Sequence, residues 1–268
     1  GEFLAEDNIP TWYNRRFRFN YYATVATMAR VYLWKGDREN ALLCAQEVIR
    51  DQETKFPWVQ KENLIHIGDL NTANNYRNQD RTFATEHIFS LNITDLEDCM
   101  DGYIQGGLED FSTVDTRLGA LGEDRSGVYE ENTADVRYQY WFEPYMDYFL
   151  IAKFYQNTIT ARYFQERVPL IRLSEMYYIA AEALKDTDMP AALGLLNTLR
   201  IHRGLTEVKN LSKEELQQEL EREYYREMIG EGQVFFYHKR MNTKMIATAN
   251  AVYVLPMPDD EINLGQRQ

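Results

Sequence analysis

The chain is short of the residues that carry most recognisable chemistry. Cysteine occurs twice, at Cys44 and Cys99, and histidine four times, at His66, His87, His202 and His238. Two cysteines define no disulfide framework and report no redox compartment, so pairing between them stays open. No two histidines have the H-x3-H interval of a helical zinc site, and neither cysteine lies beside one. Asp95, Glu97, Asp98 and Asp101 cluster around Cys99 without the closing glutamate of an EF-hand, so they read as a solvated acidic turn. A nucleophile elbow and a phosphate-cradling glycine loop are both missing. Nothing here calls for a metal or a cofactor. No apolar run approaches the roughly 18 residues needed to span a bilayer, and no signal peptide is visible.

Positive charge is also scarce. Lys and Arg number 29 against 42 Asp and Glu, a formal charge of -13. A nucleic-acid binder needs a basic footprint to displace counterions, so DNA and RNA are excluded as partners. Attraction to an anionic lipid surface fails for the same reason. Neutral ligands remain.

Aromatic rings are plentiful: 19 Tyr, 13 Phe and 4 Trp make up 13% of the 268 residues. A core uses only part of that, and exposed rings usually face sugars or peptides. The remaining composition, 44% hydrophobic and 26% charged, is that of an ordinary globular chain long enough to bury a core unaided.

Helical periodicity appears at both ends. Residues 17–51 read as a helix pair turning at Gly36-Asp37, with Ala41, Ala45, Val48 and Ile49 on one face of the second helix. Ala29, Tyr32 and Ala41 have the intervals of a tetratricopeptide hairpin, and Ala180, Ala183 and Ala192 repeat them. Leu196 and Leu199 then fall where Ala45 and Val48 fall in the first copy. Small residues at such a crossing let two helices approach closely.

A helix is expected over Leu170–Lys185, another from Pro190 to Gly204, and a third opened by the capping box Ser212-Lys213-Glu214-Glu215. Leu216, Leu220, Tyr224 and Met228 mark one face of that third helix, which Gly230 and Gly232 end. The tail from Val254 to Ile262 should lie extended.

Between the helical ends, residues 52–165 lose this periodicity and hold clustered Asn and Gly with scattered rings. Glu86–Ile93 reads as a short strand. Irregular stretches of this length are usually either functional or disordered, and the aromatic richness here favours function. Trp58, Asn74, Tyr76, Arg77 and Tyr103 are the candidate ligand-binding residues, because rings stack on sugar faces while amides and guanidinium groups read hydroxyls. Trp12, Trp34 and Trp141 look structural, with Trp34 packing at the repeat turn.

Arg172, Glu175, Glu182, Glu221, Arg222 and Glu231 are charges set among apolar neighbours. An acid/base pair for glycoside hydrolysis is one reading. An internal ion network tying the C-terminal helices together is the favoured one, with Arg172 meeting Glu175 along one helix.

Three strings in fixed order carry a resemblance. They are Pro169–Ala183, Glu221-Arg222-Glu223 running to Gly230-Glu231-Gly232-Gln233, and Leu255-Pro256-Met257-Pro258-Asp259-Asp260-Glu261-Ile262. Together they resemble the SusD/RagB family of bacterial outer-membrane nutrient-binding lipoproteins. Phe235–Arg240 departs from the family's pattern by having Tyr237 where an aspartate is usual, which suggests altered local hydrogen bonding.

The resemblance implies an all-α fold of tetratricopeptide-like hairpins with a long irregular region and minor short strands. It implies one domain over 1–268, divided into a hairpin (17–51), a loop-rich ligand region (52–165) and C-terminal helices with a tail (166–268). Family members have a further N-terminal part that shares in the ligand platform and carries a lipid anchor. The implied function is non-enzymatic: capture of an oligosaccharide or polysaccharide at the cell surface for a SusC-like TonB-dependent transporter. A helical-repeat module binding a peptide or protein partner is the alternative.

Overall fold

The computed structural model of the chain describes residues 17–64, 80–96, 98–99, 129, 132–145, 148–151, 153–154 and 165–243. Helix α1 spans Tyr21–Lys35 and α2 spans Arg38–Arg50. Asn20 caps α1 by accepting from the Ala23 amide. At Gly36 the chain turns left-handed with φ +82°, a conformation cheap only for glycine. Asp37 then caps α2 by accepting from the Asn40 amide at 3.3 Å. A four-residue helix, α3 (Gln52–Lys55), follows at once.

Among the described residues, the middle of the chain holds few regular elements. Strand β1 (His87–Asn92), helix α4 (Val136–Tyr140) and strands β2 (Phe142–Tyr145) and β3 (Tyr148–Ile151) are its main elements among the described residues. β2 and β3 form an antiparallel hairpin.

Strand β4 covers Arg167–Arg172 and pairs antiparallel with β1, with Ser90 opposite Pro169 and Asn92 opposite Arg167. The expected helix from Leu170 therefore starts three residues late. Val168, Pro169 and Ile171 suit an extended ribbon better than a helix, and in a two-stranded ribbon each strand has an unpaired edge where proline is tolerated.

Helix α5 then runs over Leu173–Leu184, α6 over Met189–His202, α7 over Lys213–Glu227 and α8 over Gln233–Met241. Asp188 caps α6 through the Ala191 amide at 3.1 Å, the same device as Asp37. The α6 end closes at Gly204, with φ +81°, where a Cβ would lie 2.2 Å from the Ala134 carbonyl oxygen. Ser212 and Glu215 form the capping box of α7. Gly230 and Gly232 both take positive φ after α7.

The helices stack in order α1, α2, α5, α6, with α7 against α5 and α6. Ala29 and Ala41 at the first crossing, and Ala180 and Ala192 at the second, have no exposed surface. A methyl group at each site lets the backbones close together, and Leu196, Leu199, Leu216 and Leu220 fill the adjoining grooves. A smaller cluster includes Phe83, Tyr129, Trp141 and Ile229. Trp141 is fully buried there and donates its indole N–H to the Arg81 carbonyl at 2.7 Å, as expected of a structural tryptophan.

Candidate functional site

Trp58 is the one expected ligand-binding residue within the described residues; Asn74, Tyr76, Arg77 and Tyr103 lie outside them. Its ring is half-buried against the main core. It stacks on His202 with centroids 4.4 Å apart and planes at 22°, and tilts against Tyr177 at 5.2 Å. The Arg203 guanidinium sits 5.5 Å from the ring centre. Trp58 thus joins the irregular region to α5 and α6.

A second aromatic surface lies between α1 and α8. Trp34, expected to pack at the repeat turn, leaves about half its surface in solvent. The turn needs no ring to close it, because Gly36 and Asp37 supply the hydrogen bonds. Phe236 on α8 is equally exposed. Between them lies a groove of about 230 Å³ walled by α1, α5, α7 and α8. Its apolar floor includes Leu33 and Ile179, and Arg30, Glu175 and Gln233 supply polar groups. The pattern that could have revealed it is the Phe235–Arg240 run, whose helical phase buries Tyr237 and His238 and turns Phe236 outward.

The polar walls are held rigidly. Arg30 binds Glu175 with two parallel contacts, Nε to Oε1 at 2.6 Å and Nη2 to Oε2 at 2.5 Å, and Nη2 also donates to the Leu170 carbonyl. Arg240 grips Glu182 from α8. Tyr237, where an aspartate was expected, accepts from Gln217 Nε2 at 2.7 Å and so ties α8 to α7.

Twelve charged side chains form one buried network. Glu227 is its centre and meets Arg137, Arg172 and Arg203. Arg203 reaches on to Glu86, Arg137 to Asp135 and Glu223, and Arg172 and Lys153 to Glu231. Arg200 and Arg226 close it through Glu219 and Glu223. The six cations, Arg137, Lys153, Arg172, Arg200, Arg203 and Arg226, balance six carboxylates. Arg172 does not meet Glu175. It ends β4 and turns toward α7, while Glu175 faces α1. Arg222 pairs with Glu219, and Glu221 lies 4.0 Å from His238.

These carboxylates are poor candidates for proton transfer. Burial pushes Glu223 up, but Arg137 and Arg226 outweigh it and hold the carboxyl at about 2. Burial opposes ionisation of Glu227 too, and Arg203, Arg172 and Arg137 drive it well below the carboxylate range. Both stay ionised at neutral pH, whereas a general acid needs a raised value. Burial lowers the buried His87 to about 3, so it is a neutral ring that bonds the Thr82 carbonyl and Ser90 Oγ. Among the described residues no three His, Cys, Asp or Glu side chains are grouped to hold a metal ion. Cys44 and Cys99 are both free thiols.

The model of the SusD family matches residues 21–251. The chain belongs to the SusD family. Lipid anchoring, an outer-membrane setting and glycan binding at the cell surface are general features of that family.

Solved structures share the fold. A SusD-like carbohydrate-binding protein from Bacteroides vulgatus is similar over 92% of this chain and 50% of its own, with 14% identity and a TM-score of 0.60. A SusD superfamily protein from the same organism is similar over 94% of this chain and 59% of its own, with 22% identity and a TM-score of 0.61. A third, from Bacteroides thetaiotaomicron, has 24% identity over 87% of this chain and 53% of its own, with a TM-score of 0.56. The chain thus spans between 50% and 59% of the length of these SusD structures. A search of the curated proteins returns no match. Among the described residues no helix is long and apolar enough to cross a membrane.

Proposed function

We propose that this SusD-family chain captures a neutral oligosaccharide or polysaccharide at the outer-membrane surface and passes it, unhydrolysed, to a SusC-like TonB-dependent transporter. Family membership over residues 21–251 carries the reading. The charge of -13 supports an uncharged ligand, since a polyanion would be repelled. The arginine-locked carboxylates support binding without bond cleavage. In this reading residues 52–165 supply the platform through Asn74, Tyr76, Arg77 and Tyr103, with Trp58 at its border. Lipid anchoring would lie in a segment outside these residues.

Calorimetry with a panel of soluble neutral glycans tests this. Saturable heat from at least one glycan is expected, weakened at least tenfold by a Tyr76→Ala, Tyr103→Ala double variant. Heat only from peptides would replace the glycan reading with a peptide one. Release of new reducing ends from a bound polysaccharide would end the non-catalytic reading.

A second reading, a helical-repeat module that holds a partner's peptide, is favoured by the groove between Trp34 and Phe236, whose floor is apolar. A Trp34→Ala, Phe236→Ala variant separates the two. Loss of peptide binding with glycan binding intact would support the second reading, and the reverse would remove it.

A further inference from the structure

Helices α7 and α8 meet over three polar groups that lack partners. Gln217 and Glu221 stand four residues apart on α7 and so share a face. His238 of α8 packs beside Glu221 with no exposed surface. Gln217 donates through Nε2 to the Tyr237 hydroxyl, and its Oε1 is buried without a hydrogen-bond partner among the described residues. His238 Nδ1 lies 2.9 Å from Thr243 Oγ1, and its Nε2 is likewise buried without a partner. Glu221 Oε1 lies 4.0 Å from that Nε2, beyond hydrogen-bond reach.

Each buried polar atom left unpaired is costly, and two of them beside an unbonded carboxylate on one interface call for a common cause. With the His238 proton on Nδ1, where Thr243 accepts it, all three groups present lone pairs: an imidazole nitrogen, a carboxylate and an amide oxygen. A single cation can satisfy three acceptors at once. Burial lowers His238, so its ring is neutral and ready to ligate at neutral pH. Burial also raises Glu221 by more than Arg222 lowers it, so the carboxylate lacks a full counter-charge.

We propose that Gln217, Glu221 and His238 together bind a divalent transition metal of the zinc class between α7 and α8. The imidazole nitrogen selects such ions over Ca²⁺ and Mg²⁺, which take oxygen ligands. Zinc bonds nitrogen and oxygen at about 2.0–2.2 Å, so two ligands of one ion stand at most about 4.2 Å apart. The 4.0 Å between Nε2 and Oε1 falls within that limit. A small swing of the partly exposed Glu221 carboxylate narrows it to tetrahedral spacing, with solvent on the Glu221 side to supply a fourth ligand. The Thr243 contact on Nδ1 is the kind of outer hydrogen bond that orients a ligating histidine. Two ligands sit on α7 and the third on the next helix, so no H-x3-H interval announces the site. The bound ion would clamp α8 to α7 and so fix Phe236 at the rim of the aromatic groove.

Titration calorimetry with zinc chloride on the chelator-treated 268-residue chain tests this. One saturable site is expected. It should weaken at least tenfold in Glu221→Gln and in His238→Leu, and stay unchanged in His202→Gln, which alters an exposed ring. Excess Zn²⁺ should raise the Tm of the parent chain by several degrees, because the ion binds only the folded state, and that of Glu221→Gln by less than one degree. Glu221→Gln changes a partly exposed side chain, so it carries the test even where His238→Leu fails to fold. Absence of zinc heat in the parent chain overturns the proposal and leaves Glu221 and His238 as a pair that closes on itself. A site lost in His202→Gln but kept in Glu221→Gln overturns it as well, as does equal affinity for Ca²⁺ and Zn²⁺, which would mark binding to surface carboxylates. None of these readouts involves a glycan, so failure of that reading leaves this result intact.

Discussion

The two helix pairs share their intervals, their aspartate caps and their buried alanines, yet they sit in different surroundings. Helix α5 is buried from Leu173 through Ala183, enclosed by α1, α2, α6 and α7. Helix α1 is buried only along Ala23, Val25, Ala26, Ala29 and Leu33. The charges differ as well. The pair α5–α6 borders a dry, balanced ion network, whereas α2 faces solvent with Arg38, Glu39 and Arg50. A repeat motif therefore sets how two helices cross. What their outer surfaces carry depends on the neighbours.

The contrast can be broken most severely at Glu227. Glu227→Gln removes the carboxylate that three buried guanidinium groups share, leaving one positive charge unbalanced, and should cost about 3–5 kcal/mol in urea unfolding. No comparable single change exists among the described ion pairs of α2, where Arg50 and Asp51 are solvent-exposed or nearly so and water screens their attraction.

Acid should also act through the second pair's surroundings. The folded state keeps His87 neutral down to about pH 3, while the unfolded chain protonates it near 6.5. Unfolded protein therefore binds more protons in that window. Stability should fall as pH drops from about 6.5 toward 3, by at most about 1.4 kcal/mol per pH unit from this group. His87→Gln should flatten that part of the profile, and an unchanged slope would show that His87 is not the source.

Overpacking sharpens the likeness between the pairs. Ala29→Leu and Ala180→Leu should each destabilise by about 1–3 kcal/mol, because both methyl groups lie at crossings with no exposed surface. The caps should show the smallest and most equal effects. Asp37→Ala and Asp188→Ala should each lower the Tm by a small and similar amount. A cap that costs nothing would mean its helix start is held by packing alone.

Local chemistry was the legible part. The turn at Gly36, the capping box at Ser212 and the buried face of Leu216, Leu220, Tyr224 and Met228 all depend on residues within a turn or two of one another. Leu170–Arg172 misled because its strand state depends on β1, some eighty residues earlier in the chain. Arg172 and Glu175 looked paired because three-residue spacing places two side chains together only inside a helix. Trp34 looked structural because a ring at a helix end often packs, and only the arrangement of α8 shows that it borders a groove instead. Of the ligand candidates, Trp58 proved to be a stacking partner of His202, a contact no spacing rule could indicate.

The amino-acid order alone determined the family, the helix pairs and the boundaries at Gly36, Gly204 and Ser212, because those rest on short-range hydrogen bonds and on periodicity along one helix. The tertiary structure alone decided which charge meets which, which rings face outward and which side of α1 stands uncovered. Those outcomes depend on segments far apart in the chain arriving side by side, and residue spacing does not encode that distance.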